Sequence, residues 1–387
     1  MAATTRRWAW AAVFLVLVGV VRAAPSDALQ QEDFEIVEES AAGERDEKFF
    51  VAILKISPDQ CTTNDATRNL GTCLPASDCT STGGVSSGSC AKGFGACCIA
   101  QRTCSQSTSY NNTYFVNPGY TGSDTGTGAC MLTVNRVNNN ICQVRLDFLD
   151  LELEQPDVDG NCNVDFLTVT GGTSTVPRIC GSNTGQHMYV DVDPNGGALK
   201  VTVDRSTAST VNRSWNIKVT QIACNSQYRA PSGCLQYYTE TSGYVESFNF
   251  DNAAPADGIG TRQIANQDYG ICVEMADGYC GIIWERNTTV GDNSFTVSGN
   301  VPGTDPTLIG TAAAGSTGAA CTTDYVIIPG GVDNNQNSED RFCGLGFPDS
   351  VTSTMKPFVL YVHTDADEAI DVANRGFNLQ YRQITDC

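Results

Sequence analysis

The chain has 387 residues, a formal net charge of −20 and only 17% charged residues. That balance excludes nucleic acid and anionic lipid as partners, because both need a basic face. Its two histidines, His187 and His363, leave no histidine-rich metal site and little scope for a histidine triad. The length supports two or three domains, and 41% hydrophobic residues are enough for buried cores.

At the N-terminus, Arg6 and Arg7 precede an apolar run from Trp8 to Val21. The run is shorter than the ~20 residues that a spanning helix needs. Val21-Arg22-Ala23 ends it with a small-residue cleavage pattern, so residues 1–23 read as a secretory signal peptide. No later segment is apolar enough to span, and the product is expected to be secreted and extracellular. In that compartment the 18 cysteines are expected in disulfides. Three sequons fit the same route, at Asn111, Asn212 and Asn287. Residues 24–58 carry Glu32, Asp33, Glu35, Glu38, Glu39, Glu44, Asp46 and Glu47. Such a run is expected to be a disordered acidic leader, with a propeptide as the alternative.

Residues 59–100 hold six cysteines, at 61, 73, 79, 90, 97 and 98, and no long apolar segment. A unit this small needs covalent staples. Cys97 and Cys98 are adjacent, so each is expected to take its own partner. Gly71, Gly83, Gly84, Gly88, Gly93 and Gly95 are expected to supply turns. Zinc fits poorly, since there is no Cys-x-x-Cys pair and no nearby histidine. The segment resembles the clip domain of arthropod secreted proteins, through its six cysteines, Gly71-Thr72-Cys73 and the terminal Cys97-Cys98 pair. That resemblance implies the pairs Cys61–Cys97, Cys73–Cys90 and Cys79–Cys98.

The other twelve cysteines form two sets of six: 104, 130, 142, 162, 180, 224 and 234, 272, 280, 321, 343, 387. Local text repeats with them. Cys162-Asn163-Val164-Asp165 answers Cys321-Thr322-Thr323-Asp324, and Ile179-Cys180-Gly181 answers Phe342-Cys343-Gly344. An internal duplication of a β unit follows, with domains at 104–224 and 234–387. Val144, Leu146 and Phe148 alternate with Gln143, Arg145 and Asp147. Leu199, Val201 and Val203 alternate likewise, as do Trp215, Ile217 and Val219. In the second unit Phe358, Leu360 and Val362 alternate, and so do Phe377, Leu379 and Tyr381. Period two in many short runs predicts antiparallel sandwiches with one wet face. Trp215 and Trp284 read as core residues.

These repeats resemble CUB domains, which are disulfide-bonded β-sandwiches. The resemblance rests on Phe115-Val116-Asn117-Pro118-Gly119-Tyr120, on Phe148 to Glu154, and on Cys162 to Asp165. In the second unit it rests on Phe342-Cys343-Gly344, Phe358 to Asp365 and Gly376 to Tyr381. The fold class is therefore all-β: two CUB-like antiparallel sandwiches of jelly-roll type plus a small N-terminal cysteine-rich knot. The family's usual pairs imply Cys104–Cys130 and Cys162–Cys180, then Cys234–Cys272 and Cys321–Cys343. The unused cysteines leave Cys142–Cys224 and Cys280–Cys387. Cys224 does not keep the parity of Trp215, so the first of these needs a local break in its strand. The extra pair and the clip-like knot together resemble an arthropod group of secreted CUB proteins.

Many CUB domains bind calcium through one glutamate and two aspartates, hard oxygen ligands suited to that ion. The resemblance places Glu154 and Asp165 at two of the three positions in the first unit, with the third near Ser206. It places Asp324 and Asp365 at two in the second, where the glutamate position falls near Ser298. Ca2+ is thus the only cofactor implied; the plainer reading is a solvated carboxylate cluster. His363 reads as an exposed edge histidine. No Gly-x-Ser-x-Gly, His-Glu-x-x-His or phosphate loop is present, so no catalytic residue is expected. The expected function is a secreted, non-catalytic binding or adaptor protein recognising an extracellular protein. The alternatives are a structural acidic glycoprotein of matrix or cuticle, and a regulator of an extracellular protease cascade acting through the knot.

Overall fold

The computed structural model describes residues 34–40, 50–251, 262–298, 306–366, 368 and 374–387. The signal-peptide reading of residues 1–23 lies outside them. The acidic leader is corrected in part: Phe34–Ser40 pairs antiparallel with Phe50–Ile56, in register from Phe34↔Ile56 to Ser40↔Phe50. The physical reason is composition. Phe34, Ile36, Val37, Phe50, Val51 and Ile53 are strand formers set among the acids.

The knot folds as four short strands, Gln60–Thr62, Leu70–Leu74, Val85–Cys90 and Gly95–Arg102, with one helix, Ala76–Ser81. Three disulfides staple it: Cys61–Cys97, Cys73–Cys90 and Cys79–Cys98. Two of its glycines make room for sulfur instead of turning the chain. A Cβ on Gly84 would stand 2.4 Å from Cys98 Sγ, and one on Gly95 would stand 2.7 Å from Cys90 Sγ.

Knot and first sandwich share a sheet. Gly95–Arg102 pairs antiparallel with Leu70–Leu74 inside the knot and parallel with Thr113–Val116 outside it. The sheet continues through Ser214–Ala223 and Ile141–Glu152 to His187–Asp191. A boundary at residues 100–104 therefore runs along one strand and does not separate independent bodies. The facing sheet is Phe166–Thr170, Leu199–Asp204, Cys130–Val134 and Gln106–Thr108. Phe148, Leu146, Val201, Val203, Trp215, Ile217 and Val219 fill the space between, each at most 1% exposed. The third disulfide of this sandwich, Cys142–Cys224, is accommodated by a bulge. Ile141 faces Ala223 and Gln143 faces Ile222, so Cys142 is the extra residue.

The second sandwich repeats the plan. One sheet runs Cys234–Tyr238, Asp268–Val273, Phe358–His363, Tyr325–Ile327, Arg341–Gly344, Gly315–Thr317. The other runs Ser242–Glu246, Gly376–Ile384, Gly281–Arg286, Val351–Ser353, Val332–Asp333. Trp284, Leu360, Phe377, Leu379 and Tyr381 are buried between them. Its disulfides are Cys234–Cys272, Cys280–Cys387 and Cys321–Cys343, and those left to the first sandwich are Cys104–Cys130 and Cys162–Cys180.

The wet face expected on the Gln143, Arg145, Asp147 side is largely covered by the linker and the second sandwich. Gln143 is 1% exposed and clamps the linker, accepting from Ala230 N at 2.9 Å and donating to Ala230 O at 3.1 Å. Beside it, His187 is buried on the backbone of Tyr237, with Nε2 at 3.1 Å from the nitrogen and 3.0 Å from the oxygen. Farther along the seam Asn249 is wholly buried at φ 62°. Its Oδ1 accepts from Ser182 N at 2.9 Å, and its Nδ2 donates to Gln155 Oε1 at 2.9 Å and Arg262 O at 2.8 Å. Asn183 Oδ1 accepts from Asn249 N at 2.9 Å. Gly181 permits this approach, since a Cβ there would stand 2.0 Å from Asn249 Oδ1. Gln186 completes the seam by donating to Ser247 O at 3.0 Å and Glu246 Oε1 at 3.1 Å.

Burial, and then the Arg145 charge, pull the His187 pKa down from 6.5 to about 4. Between those values the unfolded chain holds a proton that the folded chain does not. The stability tied to His187 is therefore complete above pH 6.5 and is lost as pH falls towards 4. The loss is at most ~3 kcal/mol. Burial raises the Glu246 carboxyl, which acts in the opposite sense over acid pH. Comparison with His187→Gln, which keeps a hydrogen-bonding group but cannot protonate, isolates the histidine. From neutral pH to about pH 5 the melting temperature of the parent protein is expected to fall more steeply than that of His187→Gln. Parallel slopes would contradict the assignment.

Candidate functional site

The four acids singled out for calcium lie at the loop ends of the sandwiches. In the first, Asp165 sits just before the Phe166–Thr170 strand and is 1% exposed. Its Oδ1 accepts from Ser206 N at 2.8 Å and from Arg213 Nη1 at 2.7 Å. Arg213, 4% exposed, also donates through Nε to Asp124 Oδ2 at 3.2 Å, through Nη1 to Ser206 O at 3.0 Å, and through Nη2 to Gly126 O. Arg205 closes the group, with Nη1 at 3.2 Å from Asp124 Oδ1. Two guanidinium groups thus neutralise two buried carboxylates. Glu154 is turned elsewhere, accepting from the backbone nitrogen and hydroxyl of Thr210.

This set does not fit calcium. The ion takes six to eight oxygens and needs converging negative charge. Here a fixed cation lies against the aspartate, and only Asp165 Oδ2 is left without a hydrogen bond. Arg213 supplies positive charge to Asp165 from within the chain. Strand parity carried the signal. Residue 213 keeps the inward parity of Trp215, Ile217 and Val219, so a charge there has to be met inside.

In the second sandwich Asp324 is fully buried, and its Oδ1 accepts from Asp365 N at 2.8 Å. The two acids are brought together as expected. Among the described residues no group of three or more histidine, cysteine, aspartate or glutamate side chains is placed to hold a metal ion.

His363 is not on an edge. Phe358–His363 pairs on one side with Asp268–Val273 and on the other with Tyr325–Ile327. Its Nδ1 meets Asp268 Oδ1 at 2.7 Å, across the strands and not along its own strand to Asp365, and its ring stacks 4.8 Å from that of Tyr325. The sequons differ in access. Asn212 is exposed and Asn111 half-buried, with Asn111 Oδ1 accepting from Gln221 N at 2.7 Å. Asn287 is 4% exposed, and its Nδ2 donates to Asn378 Oδ1 at 3.0 Å. A glycan on that nitrogen would displace the contact.

A CUB domain model matches residues 104–219, and an animal CUB domain model matches residues 231–384. The chain carries two CUB domains. Each family match spans one of the sandwiches, and in both the aspartate of Cys-x-x-Asp directly precedes a strand, Phe166–Thr170 or Tyr325–Ile327. Among solved structures, the CUB1-EGF-CUB2 domains of rat MASP-1 are 13% identical, with 71% of this chain and 99% of that chain covered and a TM-score of 0.26. The same region of human MASP-1/3 is 17% identical, covering 70% and 98%, at a TM-score of 0.24. The extracellular region of zebrafish Gpr126/Adgrg6 is 11% identical, covering 73% and 36%, at a TM-score of 0.25. A comparison with curated proteins finds no match.

If Arg213 takes the place of a metal, Arg213→Gln leaves two buried carboxylates without their shared cation and lowers stability by ~3–5 kcal/mol. Calcium at ~1 mM is expected to leave the melting temperature of the parent protein unchanged. A calcium-dependent rise that vanishes in Glu154→Gln would restore the metal to the first CUB domain.

Proposed function

We propose that the protein is a secreted, non-catalytic binding protein that presents its two CUB domains as one rigid unit to an extracellular protein. The observation that carries this reading is the seam. Buried polar contacts of Asn249, Asn183, Gln186 and His187 fix one CUB domain on the other, so surfaces from both are held in constant register. A preorganised surface of that kind favours binding, because little ordering entropy is lost on association. Nine disulfides in the described residues suit an oxidising compartment. Asn212 is the sequon best placed for a glycan. Among the described residues no helix is long and apolar enough to cross a membrane.

The non-catalytic reading is supported by His187, which is committed to the backbone of Tyr237. His363 is held on Asp268 in a hollow lined by Gly233, Gly270 and tyrosines. Calcium has no role in recognition by the first domain on this reading. A second reading, regulation of a protease through the clip-like knot, is favoured by Phe94, which is 62% exposed, and Val85, which is 52% exposed. Deleting the knot would strip the Gly95–Arg102 strand from the first CUB sheet, so Phe94→Ser is the cleaner variant for it.

The test is association of the immobilised mature protein with proteins of its native extracellular fluid, with and without chelator. A saturable partner with a constant between ~1 nM and ~1 μM, indifferent to chelation, is expected. Association that never saturates and disappears with added salt would favour the structural glycoprotein instead. Loss of partner binding in Phe94→Ser alone would move recognition to the knot.

A further inference from the structure

The covered face of the first CUB domain leaves one stretch open. Between the knot on one side and the linker and second domain on the other lies a groove of 860 Å³. Its floor is the outer face of the strands Ile141–Glu152, His187–Asp191 and Ser214–Ala223. Gln60 and Asn69 of the knot form one wall, and Tyr228 and Thr239 stand on the other. The volume suits a small ligand or a short segment and is too small for a folded domain.

The charges on the floor are unevenly settled. Arg145 Nε donates to Asp147 Oδ1 at 2.7 Å, and Arg145 Nη1 donates to the Tyr189 hydroxyl at 2.8 Å. The guanidinium also lies 5.2 Å over the Tyr189 ring. Arg145 and Asp147 therefore answer each other. Lys218 faces Asp147 in the strand register, and Asp147 acts on it only through space while Arg145 repels it, so two cations share one carboxylate. It is half-buried, and burial pulls its pKa below the ordinary lysine value. The chain has six lysines against a net charge of −20. Arg145 and Lys218 against Asp147 leave one positive charge in excess on the groove floor, partly desolvated and open to an anion.

We infer that this groove binds a short peptide segment of the partner through a side-chain carboxylate placed on the Lys218 ammonium. The inference rests on the binding-protein reading above and names what the partner presents. One positive charge in excess matches one carboxylate. A sulfated glycan or a phosphate dianion would need the second cation, and Arg145 is committed to Asp147. The side-chain amide of Asn69 and the Gln60 Nε2, whose Oε1 accepts from Asn112 Nδ2 at 3.2 Å, suit the backbone of an extended segment. Leu149, 38% exposed, and Tyr228, 68% exposed, offer apolar contact on either side of the charge.

The test is fluorescence anisotropy of a labelled, end-capped leucyl-glutamyl-leucine peptide on the full mature protein. Saturable binding is expected, weakened about tenfold or more in Lys218→Gln and when the glutamate is replaced by glutamine. The same peptide should protect Lys218 of the parent protein from amine acetylation, read by mass spectrometry. That readout stands even where the variant folds poorly. Absent binding, equal binding to the parent and Lys218→Gln, or unchanged acetylation of Lys218 would each overturn the inference. So would a sulfated oligosaccharide that binds where the peptide does not. None of these results touches binding of the whole partner, so the broader reading fails separately.

Discussion

Asn249 sits where the two CUB domains meet, and the relation between them depends on how its amide is satisfied. Each of its polar atoms has a partner, and those partners lie on both sides of the seam. Each bond contributes only ~1 kcal/mol net, but a buried amide left without partners costs ~1–3 kcal/mol. Loosening the seam would therefore expose or orphan several groups together. Gly181 lets the two backbones come close enough for the network to form. The aromatic cluster of His187, Tyr189, Tyr237 and Tyr238 adds apolar contact along the same line.

The shared sheet extends the same rigidity to the other end. The knot contributes an edge strand to the first CUB sheet, and the Tyr114 hydroxyl donates to Leu70 O at 2.8 Å across the join. Each end of the sheet face is thus covered, by the knot at one side and by the second domain at the other. What stays open between them is the groove over Lys218. Inside the first domain an acidic protein places two of its arginines, Arg205 and Arg213, against the buried Asp124 and Asp165.

Much of the fold was legible in residue order. Alternation placed Val144, Leu146, Phe148, Trp215, Ile217, Leu360 and Leu379 in the cores, and all are buried. The parity conflict at Cys224 appears in space as the bulge at Cys142. Other features were hidden because they depend on contacts between domains. Gln143 read as part of a solvated face, since period two says which side is polar and not what covers it. Nothing in the spacing marks Asn183 or Asn249 as a seam. In the leader, counting acids hid the strand formers Phe34, Ile36 and Phe50. Resemblance singled out the carboxylates of the loop end, but it gave no sign of Arg213, which pairs with Asp165 from an inward parity.

The central claim is that the two CUB domains are one cooperative unit. Differential scanning calorimetry of the mature protein, with Asn249→Ala alongside, measures this directly. One transition is expected for the parent protein, with calorimetric and van 't Hoff enthalpies in agreement, and a separation into two in Asn249→Ala. Two independent transitions in the parent protein, unchanged by Asn249→Ala, would contradict it.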